Sequence, residues 1–161
     1  MNYIIDGHNL ISKILGLDLR MLDDEQRLIE LLIGLTKQGR HRIEVYFDRA
    51  PIGQAGDQNF GRVRAHFVHH SGTADQAIRN KLRSLQRASK NWVVVTSDRS
   101  VQAAAHEAQA EVMRSEDFAR YLEANLLQAK PGSSAPAADK PLSEAEVSEW
   151  LAIFKRDRDQ K

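Results

Sequence analysis

Three short apolar runs, each closed by an aspartate, constrain this chain more than any other feature. They read YIID at residues 3–6, IEVYFD at residues 43–48 and WVVVTSD at residues 92–98. Apolar residues fill consecutive positions in these runs, as in strands that are buried on both faces of a parallel sheet. The chain is therefore expected to be an α/β protein whose mostly parallel central sheet carries helices on both faces.

The segments between these runs carry helix signals. In residues 23–39 apolar side chains recur every three or four positions, acidic residues come first and Gly39 comes last, as in an amphipathic helix. Thr73 and Gln76 form a capping-box pair that starts another helix. The predicted helices cover residues 9–15, 23–39, a basic segment that starts at Thr73, 101–110 and 115–128. The other predicted elements are a strand near a sheet edge at residues 62–70, a short strand at 111–114 and a loop at 49–61.

Composition changes near residue 129. Residues 1–128 are expected to form one domain, and residues 129–141 form a linker rich in Pro, Ala and Ser. Residues 142–161 are predicted to form an amphipathic helix, whose apolar stripe is made by Val147, Trp150, Leu151 and Phe154. Because a short isolated helix is marginally stable, we expect this one to dock on its own domain or on a partner, including a second copy in a homodimer.

Composition also excludes several function classes. The chain of 161 residues contains no cysteine, so disulfides and zinc–cysteine sites are excluded, and a reducing cytoplasmic location is expected. No apolar run reaches eighteen residues, which predicts no membrane span. A glycine-rich phosphate loop and a G-x-S-x-G turn are both missing, so nucleotide-cofactor and serine-hydrolase functions have no motif support.

Basic residues are concentrated in one part of the sequence. Residues 61–90 hold seven Lys and Arg against one acid, Asp75, in a chain whose net charge is only +1. The seven are Arg62, Arg64, Arg79, Lys81, Arg83, Arg87 and Lys90. Such a local excess suits a phosphate backbone, and the alternative is an ordinary solvated helix face.

Aspartates follow the three apolar runs, and parallel strands end at the same edge of a sheet. Asp6, Asp48 and Asp98 are therefore expected at one edge, and Asp75 lies in the first turn of the basic helix. Any single one could simply cap a helix, but four carboxylates together repel one another unless a cation neutralises them. Oxygen-only ligands favour Mg²⁺ or Mn²⁺, and such an ion can activate water against a phosphodiester. Asn9 could orient that water, contact a phosphate or cap a helix.

Four motifs in this order resemble the YacP-like branch of the NYN-domain proteins, which have a PIN-like nuclease fold. They are IIDGHNLI (4–11), VYFD (45–48), SGTADQAI (71–78) and VVVTSDRSVQ (93–102), and the resemblance covers about residues 1–125. It implies a metal-dependent ribonuclease. The residues that match the family's acidic site are Asp6, Asp48, Asp75 and Asp98, with Asn9 beside Asp6. Some YacP-like proteins cut messenger RNA at the ribosome, so the resemblance also implies that setting.

We therefore expect an endoribonuclease that cleaves single-stranded RNA with Mg²⁺ or Mn²⁺. Arg79, Arg83 and Arg87, here called the basic stripe, are expected to hold the RNA backbone, with Arg62 and Arg64 as further candidates. Two alternatives remain open. A non-catalytic RNA-binding or ribosome-associated adaptor needs the basic stripe without the acids. A metal-dependent phosphohydrolase of small substrates needs the acids without the basic stripe.

Overall fold

One six-stranded sheet forms the centre of the molecule. The computed structural model describes residues 1–14, 16–17, 23–50, 53–69 and 71–128. The strands are β1 (Asn2–Asp6), β2 (Arg42–Phe47), β3 (Gly56–Phe60), β4 (Val63–Phe67), β5 (Trp92–Val95) and β6 (Glu111–Met113). They lie in the order β3-β4-β2-β1-β5-β6, where β3 is antiparallel to β4 and every other neighbouring pair is parallel. The predicted α/β class with a mostly parallel sheet is confirmed.

Helices cover both faces of this sheet. They are α1 (Gly7–Ile11), α2 (Asp24–Gln38), α3 (Ala74–Leu85), α4 (Arg99–Glu107) and α5 (Ser115–Gln128), with a 3₁₀ segment at Gln86–Asn91. In β1, Tyr3 and Ile5 pack with α1, α2 and α5, whereas Ile4 packs with α3 and α4. Successive side chains of a strand point to opposite faces, so a strand covered on both sides, such as β1, is apolar on both faces.

The segment predicted as a loop, residues 49–61, contains strand β3, so that prediction was wrong. Its sequence, GDQNF, has neither apolar alternation nor β-branched residues, and all its residues except Phe60 are exposed. It joins the sheet only through its backbone pairing with β4. Such an edge strand leaves little signal in the sequence. The strand predicted near an edge, β4, accordingly lies one place inside it.

The first helix begins at Gly7, two residues earlier than the predicted start at Asn9. A Cβ atom at Gly7 would collide with the Phe47 ring and lie 2.9 Å from the carbonyl oxygen of Tyr46. The chain can therefore turn from β1 into α1 against β2 only because this residue has no side chain. Leu15, the predicted end of this helix, lies outside the described residues.

A buried carboxylate fastens α3 to the sheet. Glu44 of β2 is 1% exposed, and its carboxylate lies 3.0 Å from Lys81 Nζ, 3.3 Å from His66 Nε2 and 3.4 Å from an Arg42 guanidinium nitrogen. The Tyr46 hydroxyl donates a further hydrogen bond at 3.2 Å. Burial alone would raise the pKa of Glu44, but the interactions with His66 and Lys81 lower it to about 2. Lys81 is thus paired with a buried carboxylate of the sheet.

The C-terminal part of the prediction is not tested by the fold. The linker at 129–141 and the helix at 142–161 lie outside the described residues, so the domain boundaries stay a prediction. Within the described ranges, no helix is both long and apolar enough to cross a membrane.

Candidate active site at the carboxyl edge of the sheet

Strand alternation carries three polar side chains to the α3 and α4 side of the sheet edge. Ile4 and Val94 belong to the core beneath α3 and α4, and Asp6 and Thr96 follow them by two positions. Asp48 directly follows β2, whose residue Tyr46 belongs to the same core. The Thr96 hydroxyl lies 3.5 Å from Asp6 Oδ2 and donates to it. The side chains of Asp6, Asp48 and Thr96 therefore lie on the side of the sheet edge where α3 and α4 begin.

The pKa of Asp6 is raised strongly at this edge. Burial is the largest cause and, together with the charges of Asp48 and Asp98, it raises the pKa of Asp6 from 3.8 to about 6, against a hydrogen bond donated by the Asn9 backbone. His8 opposes this rise. The carboxylates of Asp48 and Asp98 are thus close enough to Asp6 for their charges to act on it, as we predicted from their positions after the strands. Without a cation the ionised form of Asp6 is disfavoured.

The other two acids of this set also bond to helix N-termini. Asp48 Oδ1 accepts a short hydrogen bond from the backbone N–H of Ala74, the first residue of α3. Asp98 is the N-cap of α4, and its Oδ1 accepts from the N–H groups of Ser100 at 2.8 Å and Val101 at 3.4 Å. Both carboxylates therefore lie at the positive end of a helix dipole. Capping and ligand binding are compatible here, because among the described residues both bonds to Asp98 fall on one oxygen.

Asp75 is placed differently from the other three acids. Its carboxylate pairs with Arg79 at 3.4 Å, and Arg79 also donates to the carbonyl oxygen of Ser100 at 3.1 Å and to the Ser100 hydroxyl. The charges that act on Asp6 do not include Asp75. In the part of the chain that the structure describes, no three His, Asp or Glu side chains lie close enough to hold a metal ion. The four-carboxylate metal site therefore stays a prediction.

Asn9 has a structural task that the sequence left open. Its Oδ1 accepts hydrogen bonds from the Ser97 N–H at 2.9 Å and from the Ser115 hydroxyl at 2.6 Å. These bonds join α1 to the segment after β5 and to the first turn of α5. Its side-chain oxygen is thus committed, and only the amide Nδ2 is left for a water or a phosphate.

Glu116 is a further carboxylate near this edge that sequence reasoning missed. Its Oε2 accepts a 2.5 Å hydrogen bond from the Ser97 hydroxyl, and its carboxylate pairs with Lys13 at 3.3 Å and Arg114 at 3.5 Å. The Ser97 bond is the largest of the causes that lower the Glu116 pKa to about 2. In the sequence it is one of two acids in the first turn of α5, where acids are common at any helix start.

The predicted RNA-binding arginines divide into two groups. Arg79, Arg83 and Arg87 line a groove between α3 and α4, and Arg79 reaches the start of α4 beside Asp98. Arg62 and Arg64 instead lie at the start of β4, where they line a cavity of about 360 Å³ with Arg40 and Arg42. Strand starts and strand ends lie on opposite edges of a parallel sheet, so this second group is remote from the acids.

Comparisons with known proteins agree with this architecture. A model of the YacP-like NYN domain matches residues 3–155. The crystal structure of Rae1 (YacP) from Bacillus subtilis is similar with a TM-score of 0.70 and 23% identity, over 99% of this chain and 95% of that one. The W164L mutant of that protein gives a TM-score of 0.66 and 21% identity, over 95% and 91%. Among curated proteins, none matches this chain.

These matches confirm the resemblance carried by the four motifs, together with its PIN-like fold. NYN domains are of the nuclease type, and PIN-like NYN nucleases generally depend on divalent metal ions. The match spans nearly the whole chain, from the first strand to beyond the last described helix. The chain therefore belongs to the YacP-like NYN family.

Proposed function

We propose that this protein is an endoribonuclease that cleaves single-stranded RNA with a divalent metal ion, Mg²⁺ or Mn²⁺. The observation that carries the proposal is the placement of Asp6, Asp48 and Asp98 at the carboxyl ends of three neighbouring parallel strands, where the charges of Asp48 and Asp98 act on Asp6. Oxygen ligands of this kind suit hard cations, so the donor set fits the metal expected of the family. When bound, the ion would supply Lewis-acid activation of the phosphodiester.

The chain's own residues prepare this edge for such an ion. Asp6, Asp48 and Asp98 are the proposed metal ligands, and the Thr96 hydroxyl holds one oxygen of Asp6. Asp75 is proposed as the fourth acid of the site. It lies in the first turn of α3 and pairs with Arg79.

Asn9 and Glu116 each accept a hydrogen bond from Ser97, the residue before the proposed ligand Asp98. Asn9 fixes the segment after β5, from which Asp98 projects, by accepting the Ser97 N–H. Glu116 holds the side chain of Ser97 from the other side. Together they set the position of the segment after β5 relative to α1 and α5. The amide nitrogen of Asn9, Nδ2, is the group proposed to contact water or phosphate.

A cleavage assay on labelled single-stranded RNA tests the proposal. We expect cleavage in Mn²⁺, none in EDTA, and a loss of several orders of magnitude in Asp98→Asn. Asparagine caps helices as well as aspartate does, so this variant keeps α4 while it loses a charged ligand. Asp117→Asn is the matched control, because Asp117 is 52% exposed on α5.

The alternatives give different results in the same assay. An RNA-binding or ribosome-associated adaptor would bind the RNA and leave it intact in Mn²⁺. A phosphohydrolase of small substrates would hydrolyse a phosphate ester in Mn²⁺ and leave the RNA intact. Cleavage that persists in EDTA, or in Asp98→Asn at the wild-type rate, would contradict the metal-dependent mechanism.

The family resemblance extends the proposal to messenger RNA on the ribosome, and the predicted amphipathic helix at residues 142–161 extends it to a homodimer. Co-sedimentation of the Asp98→Asn variant with ribosomes tests the first, and the molar mass of the full chain in solution tests the second. Absence from the ribosome pellet would separate the nuclease activity from that setting. A monomer mass at every concentration would exclude the homodimer.

A further inference from the structure

The groove between α3 and α4 has the size and the lining of a binding site. It has a volume of about 540 Å³, and its apolar lining residues are Leu82, Ala104 and Ala108. Arginines line its α3 wall, and one acid lies on its α4 wall. The polar lining residues are Arg79, Arg83, Gln86, Arg87, Glu107 and Gln109.

This groove, here called the α3–α4 groove, starts beside the proposed catalytic edge. Arg79, at its near end, pairs with Asp75 and donates to Ser100, which is also bonded to Asp98. Arg87 follows the end of α3. A helix rises 1.5 Å per residue, so α3 extends about 9 Å from Arg79 to its end at Leu85, the length of about three stacked nucleotides.

Two glutamines with unusual backbone conformations lie in this groove. Gln86, at the end of α3, has φ 48° and ψ −124°, and Gln109, just after α4, has φ 61°. Glycine adopts both conformations at lower cost than a residue with a side chain. Gln109 has the left-handed conformation that is common just after a helix, whereas Gln86 is the more strained of the two, and strained residues concentrate at functional sites. Glutamine amides both donate and accept hydrogen bonds, which suits the edges of unpaired bases.

The charges of the groove fit a phosphate backbone. Arg83 and Arg87 are exposed, whereas Arg79 is partly neutralised by Asp75. Glu107 is the single acid of the lining. A nucleic-acid strand can therefore place its phosphates on the α3 wall, with its bases toward the apolar lining residues and the amides.

We propose that the α3–α4 groove binds the RNA segment on one side of the scissile bond, with Arg83 and Arg87 on its phosphates and Gln86 and Gln109 on its bases. This inference rests on the proposed function, because the acidic edge defines where the strand is cut. It has a specific consequence. The protein recognises flanking nucleotides on one side of the cut and needs a minimum length only on that side.

A series of RNAs shortened one nucleotide at a time from either end tests this asymmetry. We expect kcat/KM to fall sharply when one flank, and only that one, becomes shorter than about three nucleotides. Arg87→Ala should lower kcat/KM at least tenfold on the full-length RNA and leave the RNA that lacks this flank unaffected. Arg120→Ala, which removes an 81% exposed charge on the opposite face of the sheet, should leave both RNAs unaffected.

Two further variants test the walls separately. Glu107→Gln removes the acid of the groove and should tighten binding of the full-length RNA about threefold, with no change for the truncated one. Gln109→Gly relieves the backbone strain and should reduce the preference among bases at one flanking position. Unchanged base preference in Gln109→Gly would overturn the base contact at that residue.

The outcomes separate this proposal from the proposed function. RNA that is cut with equal flank requirements on both sides, or Arg87→Ala that affects both RNAs equally, overturns the groove proposal and leaves the nuclease intact. RNA that is never cut but binds with the one-sided length requirement, measured by fluorescence anisotropy, overturns the nuclease and supports the groove.

Discussion

Replacing Asp6 by asparagine should stabilise the metal-free protein at neutral pH. Burial and the charges of Asp48 and Asp98 raise the Asp6 pKa from 3.8 to about 6. At pH 7.5 the carboxylate is ionised in both the folded and the unfolded chain, so folding includes the cost of placing this charge at the sheet edge. A pKa rise of about two units corresponds to a cost of about 3 kcal/mol. Asparagine removes the charge with little change in volume.

The effect should depend on pH in a defined direction. The folded protein has the higher Asp6 pKa, so it takes up a proton before the unfolded chain as pH falls from 6 to 3.8. This proton uptake stabilises the folded wild-type protein as the pH falls. The Asp6→Asn variant has no carboxyl group at this position, so its stability does not gain in this way. The advantage of the variant should therefore be about 3 kcal/mol at pH 7.5, about half of that at pH 5 and small at pH 4.

Urea unfolding in EDTA, followed by circular dichroism at these pH values, measures the difference. A gain of this size raises the melting temperature of a chain of this length by roughly 6–12 °C. Asp117→Asn, a neutralisation at an exposed site, is the control and should change little. Added Mn²⁺ should stabilise wild type more than the variant, because an ion that binds the native state raises its stability. An Asp6→Asn protein that is less stable than wild type at pH 7.5 in EDTA, or whose advantage is independent of pH, would refute this reasoning.

Four further substitutions test the surrounding structure. Asp98→Ala should lower the unfolding free energy by about 1 kcal/mol through loss of the α4 cap, whereas Asp98→Asn should not, as urea unfolding in EDTA will show. Gly7→Ala should cost about 1–3 kcal/mol in thermal melting, because its new Cβ collides with the Phe47 ring. Glu44→Gln should cost about 3 kcal/mol at neutral pH, since the Glu44 pKa is held at about 2. That cost should fade as pH falls from 4.5 toward 2 in an acid titration of unfolding. Asn9→Ala should cost about 1–3 kcal/mol in urea unfolding, because two donors lose their shared acceptor.

Local sequence patterns were sufficient for much of the fold. The apolar runs predicted the buried parallel strands, because a strand covered by helices on both faces buries mainly apolar residues on both of them. The predicted last helix, residues 115–128, coincides with α5. Thr73 caps α3 as predicted, with its hydroxyl accepting the Gln76 N–H at 3.1 Å. Periodicity and capping act over a few residues, so they can be read directly along the chain.

The acidic edge was also partly predictable. Asp6, Asp48 and Asp98 follow strands that run in the same direction, and parallel strands necessarily end at one edge. Their electrostatic contact follows from this topology. The sequence could not separate the tasks of these residues, however, because capping of α4 by Asp98 and the contact of Asp48 with α3 depend on how the helices meet the sheet.

Only the tertiary structure decided which distant groups share an environment. Asn9 and Ser115 are 106 residues apart, and nothing in the sequence near either residue specifies the other. The basic residues of 61–90 form one cluster in the sequence, but they lie in three places in the fold. Arg62 lies at the edge where the parallel strands start, Lys81 pairs with Glu44, and Arg87 lines the α3–α4 groove. Edge strand β3 was not predicted for the same reason, because its position depends on backbone pairing with β4 and not on its own side chains. Local propensity depends on residues that are near in the sequence. Contacts between distant residues depend on how the helices and strands pack, and they form only when the whole sheet assembles.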